Sequence, residues 1–137
     1  MVAEVRAALD DYAPDRASRA IERFVVEELS NWYIRRNRRR FWKAGADADK
    51  AAAYATLHEC LSTLARLLAP FLPFLAEAMH DNLVRALDPT APESVHLSDY
   101  PTADPASIDN ALSRDMANVL AAASLGHAAR QEAAVKV

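Results

Sequence analysis

Apolar positions recur along this chain at spacings of three and four, the period of a helix that buries one face. Val2, Val5 and Leu9 carry the pattern through a short first segment that reads as the end of something longer. Pro14 suits a first helical turn and Asp15 complements the positive end of the helix dipole, so a second helix is predicted to start there. Ile21, Val25, Leu29 and Trp32 form its stripe, Phe24 and Tyr33 widen it, and nothing obvious stops the helix before Gly45. Asp47 or Asp49 caps the next helix, whose core positions are Tyr54, Leu57, Leu61, Leu64 and Leu68. Pro70 and Pro73 force a break, after which Leu72, Leu75, Met79, Leu83 and Leu87 resume the pattern. Between Asp88 and Pro105 four prolines and no helical period predict an extended loop, pinned by Val95, Leu97 and Tyr100. A last helix is expected from Asp104 or Ser107, burying Leu112, Met116, Val119, Leu120 and Ala123 and ended or loosened by Gly126. The residues Ala133 to Val137 read as the start of a further module.

These stripes predict an all-α fold: an antiparallel bundle of about four to five helices with one long proline-rich loop, one domain over residues 1–137. Composition agrees. Hydrophobic residues make up 52% of 137 residues and charged ones 26%, which excludes a disordered chain. No apolar run reaches the roughly 20 residues of a membrane span, and the expectation is a soluble cytoplasmic protein that touches no membrane. Gly45 and Gly126 are the only glycines, which leaves no glycine-rich phosphate loop. The single cysteine, Cys60, lies among apolar residues and reads as a buried reduced thiol.

Charge changes the picture more. The net charge is −3, yet Ser30 to Lys43 carries six cations and no acid, so the rest of the chain stands at −9. A positive segment on an acidic body steers a polyanion to one place. With 100° per residue and Trp32 at zero, Lys43, Arg36 and Arg39 fall near the direction of the core stripe, and Arg38 and Arg40 lie further round. Either this end of the helix outruns the bundle, or carboxylates such as Glu59, Glu77 or Asp81 hold the arginines inward. Trp32 continues the packing stripe; Phe41, nearly opposite it, is the better candidate for stacking on a base. Asn37 and Asn31 offer amide groups to base edges, Asn31 equally to a cap. The candidate RNA-binding set is therefore Arg35, Arg36, Asn37, Arg38, Arg39, Arg40, Phe41, Trp42 and Lys43. Six cations on single-stranded phosphates would give log affinity against log salt a slope of about −4. His58 and Cys60, two apart, face different ways on a helix and make a poor metal pair, and no catalytic set is found. DNA is not expected, because the basic run ends a long helix instead of following a tight turn. A protein-interaction or interdomain docking bundle is the alternative function.

The stretch Leu29-Ser-Asn-Trp-Tyr-Ile-Arg-Arg-Asn-Arg-Arg-Arg-Phe-Trp42 resembles the signature of the anticodon-binding helical domain of the isoleucyl-tRNA synthetases, a class I family. Leu67-Leu-Ala-Pro-Phe-Leu-Pro-Phe-Leu-Ala-Glu77 is similar to a helix start shared by the isoleucyl, valyl and related synthetases. Glu93-Ser-Val-His-Leu-Ser-Asp-Tyr-Pro101 and Leu125-Gly-His-Ala-Ala-Arg130 extend the likeness over nearly the whole chain. The resemblance implies a bundle that grips the anticodon arm of tRNA(Ile) beside the catalytic and C-terminal domains of its parent enzyme. The family's catalytic motifs, His-Ile-Gly-His and Lys-Met-Ser-Lys-Ser, are absent from this chain. It implies a fragment that is not an enzyme in isolation and holds no cofactor or metal, with ATP and Mg used by the parent, an isoleucine-tRNA ligase.

Overall fold

Prolines and aspartates decide where the helices begin. The computed structural model describes residues 1–45 and 47–135, which fall into two compact units, Met1–Ala103 and Asp104–Val137. In the first unit, α1 (Val2–Asp10) is closed by Tyr12 in a left-handed conformation, and α2 (Pro14–Arg23) starts with its proline in the first turn. Arg23 donates to both carboxylate oxygens of Glu4 at 3.0 and 2.8 Å, which fastens this hairpin on its solvent side. From Phe24 to Ile34 the same helix continues with wide, π-type turns, at whose end the Arg35 amide bonds the Ser30 carbonyl five residues back as well as that of Trp32. A turn at Asn37 leads into the short α3 (Arg38–Trp42). The next helix, α4 (Ala48–Leu68), is capped by Asp47, whose side chain accepts the Lys50 amide at 2.8 Å. Leu72 leaves helical angles before α5 (Pro73–His80), which passes into a single wide turn at Asp81–Arg85.

The core of this unit joins Val5 and Ala8 of α1, Ala17, Ala20 and Ile21 of α2, Leu29 of the wide-turn segment, and Leu64 and Leu67 of α4. Ala8 of α1 and Ala17 and Ala20 of α2 are small enough for these two helices to approach closely, and Leu64 and Leu67 of α4 complete the same cluster. Of the predicted α5 stripe, Met79 packs on the core, while Leu72, Leu75 and Leu87 are exposed and the fully buried positions are Ala76 and His80.

The proline-rich segment forms no long helix, as predicted, but it is not extended throughout: a turn at Asp88–Ala91 and the 3₁₀ turn Val95–Leu97 interrupt it, and it is held at chosen points. Glu77 accepts hydrogen bonds from the Ser94 hydroxyl and the Val95 amide, each at 2.9 Å. Val95 is buried against Ala65 and Ala76. Tyr100 Oη donates to the Leu67 carbonyl at 3.3 Å, and Arg6 reaches the carbonyls of Tyr100 and Pro101 at 3.4 Å. Leu97 does not pin the loop. It is 71% exposed, because the short 3₁₀ turn Val95–Leu97 directs Val95 inward and Leu97 outward.

In the second unit, Asp104 caps a 3₁₀ turn (Pro105–Ser107), and α6 (Asn110–Glu132) begins after Asp109, which accepts the Leu112 amide at 2.9 Å. The last helix thus starts later than Asp104 or Ser107, since the aspartate there closes a separate turn. It runs straight through Gly126 and ends at Ala133, followed by Ala134 with positive φ. No residue of α6 is buried, and Leu112 and Val119 are half exposed. Lys136 and Val137, part of the expected further module, lie outside the described residues.

Leu64→Ala, at a site that is 2% exposed, is expected to lower unfolding free energy by about 2 to 5 kcal/mol in chemical denaturation. The Val95 amide, helped by Ser94, holds the Glu77 carboxyl below the usual glutamate range against the opposing effect of desolvation. A depressed folded value means that this anchor contributes fully above the unfolded glutamate value of about 4.3 and is lost as pH falls through the lower folded one. NMR titration of the Val95 amide should therefore show a midpoint under about 4.3, and a midpoint above that would contradict the anchor.

Candidate nucleic-acid interface

Helix phase decides which side chains of the basic segment face outward. Wide turns hold about 4.4 residues each, about 18° less rotation per residue than an α-helix, so eleven such residues fall behind by about half a turn. The Arg35 amide, bonded to the Ser30 carbonyl five residues back, marks the end of this stretch. Phe41 consequently returns to the buried side and is 7% exposed, contrary to its expected role as a stacking surface. Its ring lies edge-on between Tyr33 and Tyr54, with centroids at 6.2 and 5.2 Å. Tyr33 Oη donates to the Ala53 carbonyl at 3.1 Å, so the three rings fasten α3 to α4.

Asn37 is likewise occupied. Its Nδ2 donates to the Tyr33 carbonyl at 2.8 Å and its Oδ1 accepts from Arg40 at 3.0 Å, which stabilises the break between the two helical stretches. That use of both amide groups replaces the expected contact with a base edge. Asn31 is exposed and has no side-chain partner among the described residues.

The six cations divide into two groups. Arg40 forks onto Asp49, with Nε to Oδ2 at 3.0 Å and Nη2 to Oδ1 at 2.8 Å, and also donates to the Asp49 carbonyl at 3.0 Å. Lys43 is paired with Asp47, and Lys50 donates back to the Lys43 carbonyl at 2.8 Å. The Asp47 contact raises the Lys43 pKa, and the same hydrogen bond, with the Lys50 amide, holds Asp47 below the usual carboxylate range. Both acids sit at the start of α4, where a carboxylate is favoured by the helix dipole.

Arg35, Arg36, Arg38 and Arg39 are exposed and form no ion pair among the described residues. Glu77 is taken by Ser94 and Val95, and Asp81 pairs with Arg85, so neither holds an arginine of this segment inward. The wheel with constant rotation also misplaced Arg40, the arginine drawn inward, because the wide turns shift the phase before the basic run begins. Arg36 lies 4.7 Å over the Trp32 ring, and Arg38 lies 5.5 Å from the ring of Trp42, which is 72% exposed. Each cation–π pair contributes about 0.5 to 1 kcal/mol at such sites and restricts a long side chain without neutralising it. Both pairs are four residues apart, a spacing visible in the sequence that would have identified Trp32 as an arginine support.

This surface therefore offers four planar guanidiniums, each with five donors and no competing carboxylate, beside one exposed indole. The arrangement suits phosphates with a stacked base nearby. Among the described residues no helix is long and apolar enough to cross a membrane.

Known proteins place this geometry in context. The chain is 54% identical over all 137 residues to the isoleucine-tRNA ligase of Dehalococcoides mccartyi, and 53% identical over 136 residues, 99% of its length, to that of Thermus thermophilus. The isoleucine-tRNA ligase of Bacillus thuringiensis is 46% identical over 134 residues, 98% of the chain. The chain spans only 13% of the length of the first two relatives and 12% of the third. Residues 1–137 match the family model described as the anticodon-binding domain of tRNA ligase. With the family model matching residues 1–137, the chain belongs to the anticodon-binding domain family of the tRNA ligases.

Proposed function

We propose that this chain is the tRNA-recognition module of an isoleucine-tRNA ligase, holding the anticodon arm while the parent enzyme attaches isoleucine to tRNA(Ile) with ATP and Mg. The observation that carries the reading is the set of four exposed arginines, Arg35, Arg36, Arg38 and Arg39, left without acids on an otherwise acidic chain. Their guanidiniums take backbone phosphates and set the register of the arm. Trp42 stacks on a splayed base. Arg40 and Lys43, neutralised by Asp49 and Asp47, shape the turn into α4 and contribute little to phosphate binding. Asn37 and Phe41 act as scaffold. Its partners in the cell are the anticodon arm and the catalytic and C-terminal domains of the parent, in the cytoplasm.

Titration with an anticodon stem-loop of tRNA(Ile) tests the proposal. Four free cations on single-stranded phosphates predict a log–log salt slope of about −3, against about −4 if all six took part. Affinity of the isolated module is expected at roughly 10 to 100 μM. Replacing Arg35, Arg36, Arg38 and Arg39 by Gln should bring the slope near zero, while Lys43→Gln leaves it within about one unit. A shallow slope in the unmutated chain, or binding of an acidic protein in place of RNA, would contradict the reading. A paired comparison separates scaffold from contact: Phe41→Ala should lower stability by about 3 to 5 kcal/mol. Trp42→Ala should leave the melting curve nearly unchanged and weaken stem-loop binding by about 1 to 3 kcal/mol.

A further inference from the structure

The end of the first unit away from the basic segment carries large apolar side chains that none of the foregoing roles uses. Asp47 and Lys50 tie the basic segment to the start of α4, and Pro70 follows the last turn of the same helix, about 30 Å further along. At that far end Leu72 and Leu75 are half exposed and Phe74 is 91% exposed. A single exposed leucine needs no explanation, but three large apolar side chains within one short corner do. Pro70 and Pro73 fix the backbone between α4 and α5, so the corner is already rigid and loses little freedom on meeting a partner.

The turn between α1 and α2 lies at the same end. A cavity of about 250 Å³ is lined by Arg6, Leu9 and Asp10 of α1 together with Pro70 and Tyr100, which sets the close of α1 beside the corner. Two residues beyond Asp10, Tyr12 is 94% exposed with a φ of 55°, a left-handed conformation that glycine adopts without strain. A tyrosine there costs the turn stability and serves a contact better, because tyrosine is among the residues enriched at binding hot spots. Charge around this end has one sign. Ala7 to Asp15 holds Asp10, Asp11 and Asp15 with no lysine or arginine, and Ala69 to Val84 holds Glu77 and Asp81 with none. Asp11 pairs with Arg16 and Asp15 with Arg19, while Asp10 forms no ion pair among the described residues.

We propose that this end docks on a protein surface of the parent ligase outside residues 1–137, one with an apolar centre for Leu72, Phe74 and Tyr12 and a basic rim for Asp10. The proposal rests on the tRNA-ligase reading and names the face by which the module joins the rest of that enzyme. The chain spans only 13% of the length of the Dehalococcoides mccartyi ligase, so most of such a protein lies outside it. A second copy of the chain is disfavoured, because a two-fold contact would set the acids around Tyr12 of both copies against each other. RNA is disfavoured by the lack of cations in both stretches. With phosphates held at one end of α4 and protein at the other, the first unit is a rigid spacer that fixes the anticodon arm relative to the parent enzyme.

Hydroxyl-radical footprinting of this chain and of the intact parent ligase, each without tRNA, tests the assignment. Tyr12, Phe74 and Leu75 should oxidise readily in the chain alone and lose that reactivity in the intact ligase, while Trp42 stays reactive in both. Leu72→Ser combined with Phe74→Ser should leave the melting curve of the chain and its salt slope for the stem-loop nearly unchanged, since neither side chain is buried. In the intact ligase the same two substitutions should restore oxidation at Tyr12 and Leu75 and lower kcat/KM for aminoacylation at least about tenfold. Continued reactivity of Tyr12 and Phe74 in the ligase overturns the proposal. Protection that appears in the chain alone as its concentration rises overturns it in favour of a second copy, and protection only after tRNA is added overturns it in favour of RNA. If the stem-loop depends on Arg35, Arg36, Arg38 and Arg39 while this face stays reactive in the ligase, only the docking assignment falls. If the face is protected and released as stated but the stem-loop ignores those arginines, the docking stands and the phosphate reading falls.

Discussion

A helix that carries an apolar stripe and then six cations on one continuous segment must rotate one set away from the other, or charge would be driven into the core. Here the rotation comes from eleven residues of wide turns, Phe24–Ile34, followed by the turn at Asn37. Their lag brings Phe41 onto α4 and leaves Arg35, Arg36, Arg38 and Arg39 toward water. The rest of the interface follows from that phase. Tyr33 and Tyr54 can grip Phe41 only because it faces inward, and Asn37 stabilises the break by bonding on both sides of it.

Electrostatics divides the same segment between structure and binding. The carboxylates at the start of α4 pair with Arg40 and Lys43, the last two cations of the basic segment, and stop there. Exposed pairs of this kind contribute little to stability, so their effect is to define direction and charge at the turn into α4. The four arginines beyond them keep their charge. Trp32 and Trp42 support two of them without a counter-ion, which leaves guanidinium donors available to an incoming phosphate.

Much of the architecture was legible in the sequence because its signals are local. Pro14, Pro73 and Asp47 begin helices where their backbone chemistry says they should, and the leucines of α4 pack as their spacing implies. The basic run was legible as charge. Its facing was not, since a wheel assumes constant rotation and no residue type in Phe24–Ile34 announces a wider turn. Phe41 faces inward and Arg40 is paired because the helix does not keep that phase, while Asn37 spends its amide groups on the Tyr33 carbonyl and on Arg40, partners that only the folded turn supplies. Leu97 shows a related limit: spacing identifies which side is apolar, while burial depends on what lies opposite. The exposed corner at Leu72 and Leu75 was hidden for the same reason, because their spacing alone assigns both to the core.

Everything about the interface depends on the wide turns, and through-hydrogen-bond scalar couplings measured by NMR examine them directly. The account predicts couplings from amides at the end of this segment to carbonyls five residues back, including Arg35 to Ser30. Couplings to carbonyls four residues back throughout Phe24–Ile34 would mean an ordinary α-helix. The rotation that buries Phe41 and frees the arginines would then have no cause.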